Sequence, residues 1–104
     1  TIDDFYNFKG EYKNGKKHGK GIESWNDGRG YEGEYKDGDK NGQGIEYFAK
    51  SQYGPVKCEG KFRKNTFAPG KITCTEDNGS TYIRSISRRM YKDSLEKIED
   101  IQKN

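Results

Sequence analysis

The chain has 104 residues, of which 28% are apolar and 36% charged, with 14 Gly and a net charge of +3. Globular domains carry about 45–50% apolar residues by a count that includes Gly; Gly fills no core, so composition argues against a thick two-layer interior. Aromatic residues make up 13%, too many for a disordered chain, and the mild, mixed charge argues against an electrostatic nucleic-acid binder.

The length favours a single domain. There is no run of about 18 apolar residues to span a bilayer and no visible leader. The chain starts at Thr1 rather than Met, which fits a processed product or an excised piece.

In chain order, Asp4 to Phe8 reads as a half-unit. A full unit follows: Phe8-Lys9-Gly10-Glu11-Tyr12-Lys13-Asn14-Gly15, then Gly19-Lys20-Gly21-Ile22. The order recurs in Tyr31-Glu32-Gly33-Glu34-Tyr35-Lys36-Asp37-Gly38, then Gly42-Gln43-Gly44-Ile45. Rings and Gly alternate with charges, the period of two of a strand whose aromatics share one face. Asn14-Gly15 and Asp37-Gly38 accept positive φ and close hairpins. Asp27-Gly28 marks the turn between the units. Gly inside a strand weakens it unless something needs the space. Rings from a neighbouring repeat are therefore expected to lie over Gly10, Gly33 and Gly60.

The third unit is degenerate: Cys58-Glu59-Gly60-Lys61-Phe62-Arg63-Lys64-Asn65, then Gly70-Lys71-Ile72. The spacing from the second unit is longer, and the extra residues fall in a loop from Ala49 to Val56. A last half-unit follows the turn dipeptide Asn78-Gly79. Cys58 and Cys74 are equidistant from position 66, the middle of this hairpin. Antiparallel pairing can set them about 4.5–5.5 Å apart at Cα, within reach of a disulfide. Two reduced thiols are the expectation and a bridge the alternative; two cysteines make neither a disulfide framework nor a zinc quartet.

After Ser85 glycine disappears. Ile86, Met90, Leu95, Ile98 and Ile101 form one helical stripe, which predicts a helix over 87–102. It is expected to pack on its own sheet and seal the last strand edge. The alternative is a helix that docks in a partner's groove or in a dimer.

The pattern Tyr-x-Gly-Glu-Tyr-x-x-Gly-x-x-x-Gly-x-Gly, followed by Asp-Gly, resembles the MORN repeat (membrane occupation and recognition nexus) over about residues 4–82. The third unit departs from it at Cys58, Asn65, Pro69 and Lys71. The resemblance implies elongated β-sheet modules that mediate protein contacts and dimerisation, some of them at membranes, phosphoinositides or the cytoskeleton. It also implies arrays placed beside catalytic domains, as in lipid kinases and protein methyltransferases. The fold expected is mainly β. A single-layer twisted antiparallel sheet of hairpin repeats covers 1–84, with units at about 8–30, 31–56 and 57–80. A C-terminal amphipathic α-helix covers 85–104.

Several catalytic-looking motifs fail on context. Gly28-x-Gly30-x-x-Gly33 fits a dinucleotide fingerprint, but a strand follows where a helix is needed. Gly10-x-x-x-x-Gly15-Lys16-Lys17 lacks the Ser/Thr of a P-loop. Asp37-x-Asp39-x-Asn41-Gly42 opens like a calcium loop, but Phe48 stands where the bidentate Glu belongs. Asn78-Gly79-Ser80 is a glycosylation sequon only in a secreted chain. His18 is the single histidine, so no histidine-based triad or metal cluster can assemble within the chain.

The expectation is therefore a non-enzymatic module with no catalytic, cofactor or metal residues. A peptide or helix of a protein partner would bind Tyr12, Trp25, Tyr31, Tyr35 and Phe48, with a homodimer as a further partner. The alternative is an anionic membrane surface held by Lys13, Lys16, Lys17, Lys20, Arg84, Arg88, Arg89 and Lys92, or a targeting module of a larger enzyme. A cytoplasmic setting, peripheral at membrane or cytoskeleton, goes with either; nucleic acid is not an expected partner.

Overall fold

The computed structural model describes residues 5–49 and 54–103. The outermost half-unit residue Asp4 and the middle of the expected 49–56 insertion lie outside these. The strands are β1 (Tyr6–Lys13), β2 (Lys16–Trp25), β3 (Gly30–Lys36), β4 (Asp39–Tyr47), β5 (Pro55–Arg63), β6 (Thr66–Phe67), β7 (Gly70–Glu76) and β8 (Thr81–Ile86). They form one antiparallel sheet in the order β1-β2-β3-β4-β5-β7-β8, with the short β6 paired to β5. A single helix, α1 (Arg88–Lys103), ends the described chain.

The sequence turns fold as their chemistry dictates. Asn14-Gly15 and Asp37-Gly38 both adopt positive φ, as a two-residue hairpin turn requires. In the third unit Lys64-Asn65 takes the same left-handed pair without a Gly. Asn65 offsets that cost with hydrogen bonds to the previous hairpin. Its Oδ1 accepts from the Lys40 N–H at 2.9 Å, and its Nδ2 donates to Asp39 Oδ1 at 2.8 Å. The turns at 25–29 and 76–80 share another pattern. Trp25 N–H donates to the Arg29 carbonyl and Glu76 N–H to the Ser80 carbonyl, with Gly28 and Gly79 at positive φ.

Gly10, Gly21, Gly33, Gly44 and Gly60 stand opposite one another across five strands. A Cβ on Gly21 would lie 2.7 Å from the Phe8 ring, and one on Gly44 would fall closer still to the Tyr31 ring. The sequence placed a neighbouring repeat's ring over the first-strand glycines. The structure differs: within each repeat, the leading ring of the first strand lies across the second-strand Gly. At Gly60 the neighbour is Ile72, at 2.5 Å, because Cys58 leaves no ring there.

The core is a file of rings along one face. Phe8–Tyr35, Tyr35–Tyr31 and Tyr31–Phe62 meet edge-on at 5.3, 5.2 and 4.8 Å between centroids, and Phe67 follows Phe62 at 4.2 Å. Edge-to-face pairs add about 0.5–1.5 kcal/mol each beyond their buried area, which suits a sheet without a second layer. Beside this file lies a second cluster of Cys58, Ile72 and Cys74, packed by Phe48, Phe67 and Ile86. Cys58 faces Cys74 across β5 and β7, and the two form a disulfide. The expectation of two thiols is thereby corrected. In the first two units the equivalent cross-strand pairs are Phe8 with Glu23 and Tyr31 with Glu46; the cystine replaces an aromatic–carboxylate pair.

Helix α1 is capped by Ser87, whose Oγ accepts the Met90 N–H at 3.1 Å. Its Met90, Tyr91, Ser94, Leu95 and Ile98 are half-buried, whereas Ile101 is exposed. The helix packs against β6 and the turn before it. Arg63 Nε donates to Tyr91 Oη at 3.1 Å, and the guanidinium lies 4.7 Å from that ring's centroid. The helix therefore rests on its own sheet, but over β6 rather than along the outer edge of β8.

Candidate interaction site on the aromatic face

Strand alternation sorts the side chains. Phe8, Lys17, Glu23, Trp25, Tyr31, Tyr35, Lys40, Glu46 and Phe48 share the ring face with the core; Lys9, Lys20, Ile22, Glu32, Glu34 and Ile45 lie on the other. On the ring face, Glu23 is the centre of a charge network. Its carboxylate accepts the Tyr35 hydroxyl at 2.5 Å and lies 3.9 Å from Lys17 and 3.8 Å from Lys40. Lys40 also reaches Glu46 at 3.6 Å. Each ammonium sits on rings as well: Lys17 is 4.5 Å from the Phe8 centroid and Lys40 5.0 Å from that of Tyr31. Lys17 also donates to the Tyr6 hydroxyl. Two cations thus satisfy two carboxylates and four rings, and no buried side-chain polar atom among the described residues lacks a hydrogen-bond partner.

This setting perturbs the groups within it. Burial, together with Glu23, pushes the Tyr35 hydroxyl far above its ordinary value, and burial with Glu34 does the same for Tyr31. Burial raises the Glu46 carboxyl, against the opposing pull of Lys40.

The five residues read from the sequence as a binding face separate into three groups. Tyr31 is 0% and Tyr35 4% exposed, so they build the floor and offer a partner almost no area. Tyr12 is 61% exposed at the near end of the ring file. Trp25 and Phe48 are half-buried and line one cleft of about 290 Å3, with Glu23, Lys40 and Glu46 beneath them and Arg29 at the rim. Arg29 lies 4.9 Å from the Trp25 centroid and is held by Asp27 at 2.7 Å.

A wider hollow of about 690 Å3 lies on the other face, between Lys9, Lys20, Ile22, Glu32 and Gln43. No ring lines it. Part of its charge is already engaged: Glu34 accepts the Gln43 N–H at 2.6 Å, and Lys20 stands directly opposite Glu34. Glu11 makes the matching bond to the Lys20 N–H at 2.6 Å. These two glutamates hold the backbone beside Gly19 and Gly42, a role that sequence reasoning missed. The signal was the fixed eight-residue step from each Glu to a Gly with positive φ, together with loss of the Glu, to Lys61, in the degenerate unit.

The eight cations of the membrane reading do not gather into one patch. Lys13 and Lys16 face each other at the end of the first hairpin, Lys17 turns to the rings, and Lys20 lies on the other face. Arg84 is on β8 and Arg88, Arg89 and Lys92 on the first turns of α1. Six strand spacings of about 4.8 Å each separate β1 from β8.

Among known families, the MORN repeat matches residues 8–28 and 31–53. These two segments are adjacent MORN repeats. The two matched repeats are the hairpins β1–β2 and β3–β4, which hold the glutamate clamps and most of the ring file. MORN repeats are generally non-catalytic modules of interaction or membrane association. No curated protein matches the chain. Among the described residues no helix is long and apolar enough to cross a membrane, and no three His, Cys, Asp or Glu side chains gather to hold a metal ion.

Proposed function

We propose that this MORN-repeat chain is a non-catalytic module that takes a peptide or helix of a protein partner on its ring face, anchored between Trp25 and Phe48. The observation that carries the reading is the cleft between those two rings, floored by the Glu23–Lys40–Glu46 network. Aromatic side chains dominate binding hot spots because they bury much area at little conformational cost. A cleft with apolar walls and a few fixed polar groups is the usual form of a specific site. Tyr12 extends the contact toward β1, while Tyr31 and Tyr35 act by holding the floor rigid.

Peptides selected by display against the folded chain test this reading. Trp25 is the single Trp, so its fluorescence reports directly on occupancy. The double variant Trp25→Ala, Phe48→Ala, checked for native circular dichroism, is expected to lose at least tenfold in affinity by calorimetry. Unchanged affinity in the folded double variant would refute the cleft. Flotation with phosphoinositide liposomes at physiological salt tests the membrane alternative; binding there that depends on Lys13, Lys16, Arg88 and Arg89 would displace the protein-partner reading.

A further inference from the structure

We infer that Asn78 is an N-glycosylation site, modified as the chain matures in an oxidising secretory compartment. None of the residues of its turn lines the ring-face cleft, and the inference does not rest on that cleft. Two independent observations carry it, and they meet in the hairpin of β7 and β8. One is a disulfide; the other is an exposed Asn-Gly-Ser turn with side-chain chemistry that the fold leaves unused.

The disulfide speaks to the compartment. A sequon is used only where the chain meets the glycosylating machinery, and the compartment that holds it also forms and keeps disulfides. Cys58 and Cys74 are bonded to each other and buried in their own cluster. Cys74 stands on β7, the strand that leads into the turn.

The turn speaks to the site. Residues 76–80 fold as residues 25–29 do. In both turns the first N–H donates to the fifth carbonyl, and a Gly at positive φ takes the fourth place. A side-chain oxygen of the third residue accepts the N–H of the fifth, from Asp27 in one turn and from Asn78 in the other. Asp27 spends its second oxygen on Arg29 Nε at 2.7 Å. Asn78 Oδ1 accepts the Ser80 N–H at 2.9 Å, but its Nδ2 has no partner among the described residues. Nor does the Ser80 hydroxyl, since Ser80 serves the turn through its backbone alone. Turn geometry thus accounts for Asn78 Oδ1 and Gly79. It leaves over the Asn amide and the Ser hydroxyl, the two groups that a sequon requires. Residues 77 to 80 are all exposed, and the space beside Gly79 is open, so a bulky glycan has room.

The donor is an oligosaccharide linked to a lipid pyrophosphate. The Asn78 Nδ2–C1 bond forms as the bond from C1 to the pyrophosphate oxygen breaks. Nδ2 gives up one proton, and the lipid pyrophosphate leaves with the electron pair.

The test uses the chain isolated from the cells that make it. It is digested with trypsin without reductant and then treated with a peptide N-glycosidase in heavy-oxygen water, which turns each glycosylated Asn into a heavy Asp. The 72–84 peptide is expected to carry that mark at Asn78 and to be joined to the peptide of Cys58. In the same cells Ser80→Ala is expected to abolish the glycan completely. Ser80→Thr is expected to keep it, because Thr completes the sequon as Ser does, and both variants should retain native circular dichroism. An unmodified Asn78 in the native chain overturns the inference. So does a free thiol at Cys74, which removes the oxidising compartment, and so does a glycan that survives Ser80→Ala, which then lies elsewhere.

Discussion

Gly44 and Tyr31 belong together: the ring occupies the volume where any side chain at 44 would begin. Overpacking of this kind costs about 1–3 kcal/mol. Gly44→Ala is therefore expected to lower the urea midpoint by an amount equivalent to about 2 kcal/mol or more, while Ser24→Ala at an exposed position leaves it unchanged. A second consequence is alkaline sensitivity. The Tyr35 and Tyr31 hydroxyls are raised above their ordinary value of about 10 in the folded chain. A raised acid favours the neutral form, so the stability it contributes is complete below pH 10 and is lost as pH climbs above it. Denaturation midpoints between pH 8 and 11.5 are expected to fall above pH 10. Tyr35→Phe should flatten that decline; an identical decline in the variant would mean that Tyr35 is not linked to folding. The presence of these rings and glycines was readable from alternation and turn dipeptides. Their burial was not, because the period of two says which residues share a face but not which of them a neighbour covers. Tyr35 holds the same place in its repeat as Tyr12 and ends in opposite surroundings.

The hairpin is the element in which sequence and structure agree most closely. Asn-Gly and Asp-Gly specify a backbone that few other pairs adopt, so the first two units and their register follow from local chemistry alone. The third unit lacks the ring, the Glu and the turn Gly. It is held by Asn65 bonded to the preceding turn and α1 resting on β6, which sequence chemistry does not announce, and by the Cys58–Cys74 bridge, which the spacing offered as the alternative to two thiols. The bridge closes a separation of 16 residues, for which the loss of chain entropy is worth about 3 kcal/mol. The Cys58→Ser, Cys74→Ser variant, or the reduced chain, is thus expected to lose about that much stability; no change on reduction would show that the two sulfurs are not bonded in solution. The bridge also bears on location, since disulfides persist in oxidising compartments and are rare in the cytosol. A cytoplasmic setting, as read from the sequence, would keep the pair as thiols. The placement of α1 followed only in part from its stripe: periodicity gave its bounds to within one residue, but the strand it would meet depends on β6, the short piece left where Ala68-Pro69 interrupts the second strand of a degenerate hairpin.

At the scale of the molecule, a sheet without a second layer keeps its stability in one file of rings and leaves two surfaces with different chemistry. The ring face carries satisfied charges on a rigid floor, with Trp25 and Phe48 standing above it. The other face carries charged pairs and lone isoleucines such as Ile22, which is 49% exposed. The ring face is the surface proposed for docking. The most direct test is a backbone and indole NMR titration of the 15N-labelled chain with a selected binding peptide. The largest shifts are expected at the Trp25 indole, Phe48 and Glu46, with Tyr12 following and Ile22, Glu32 and Ile45 almost still. Shifts centred on Ile22 and Glu32, with an undisturbed Trp25 indole, would contradict ring-face docking and move the interaction to the opposite face.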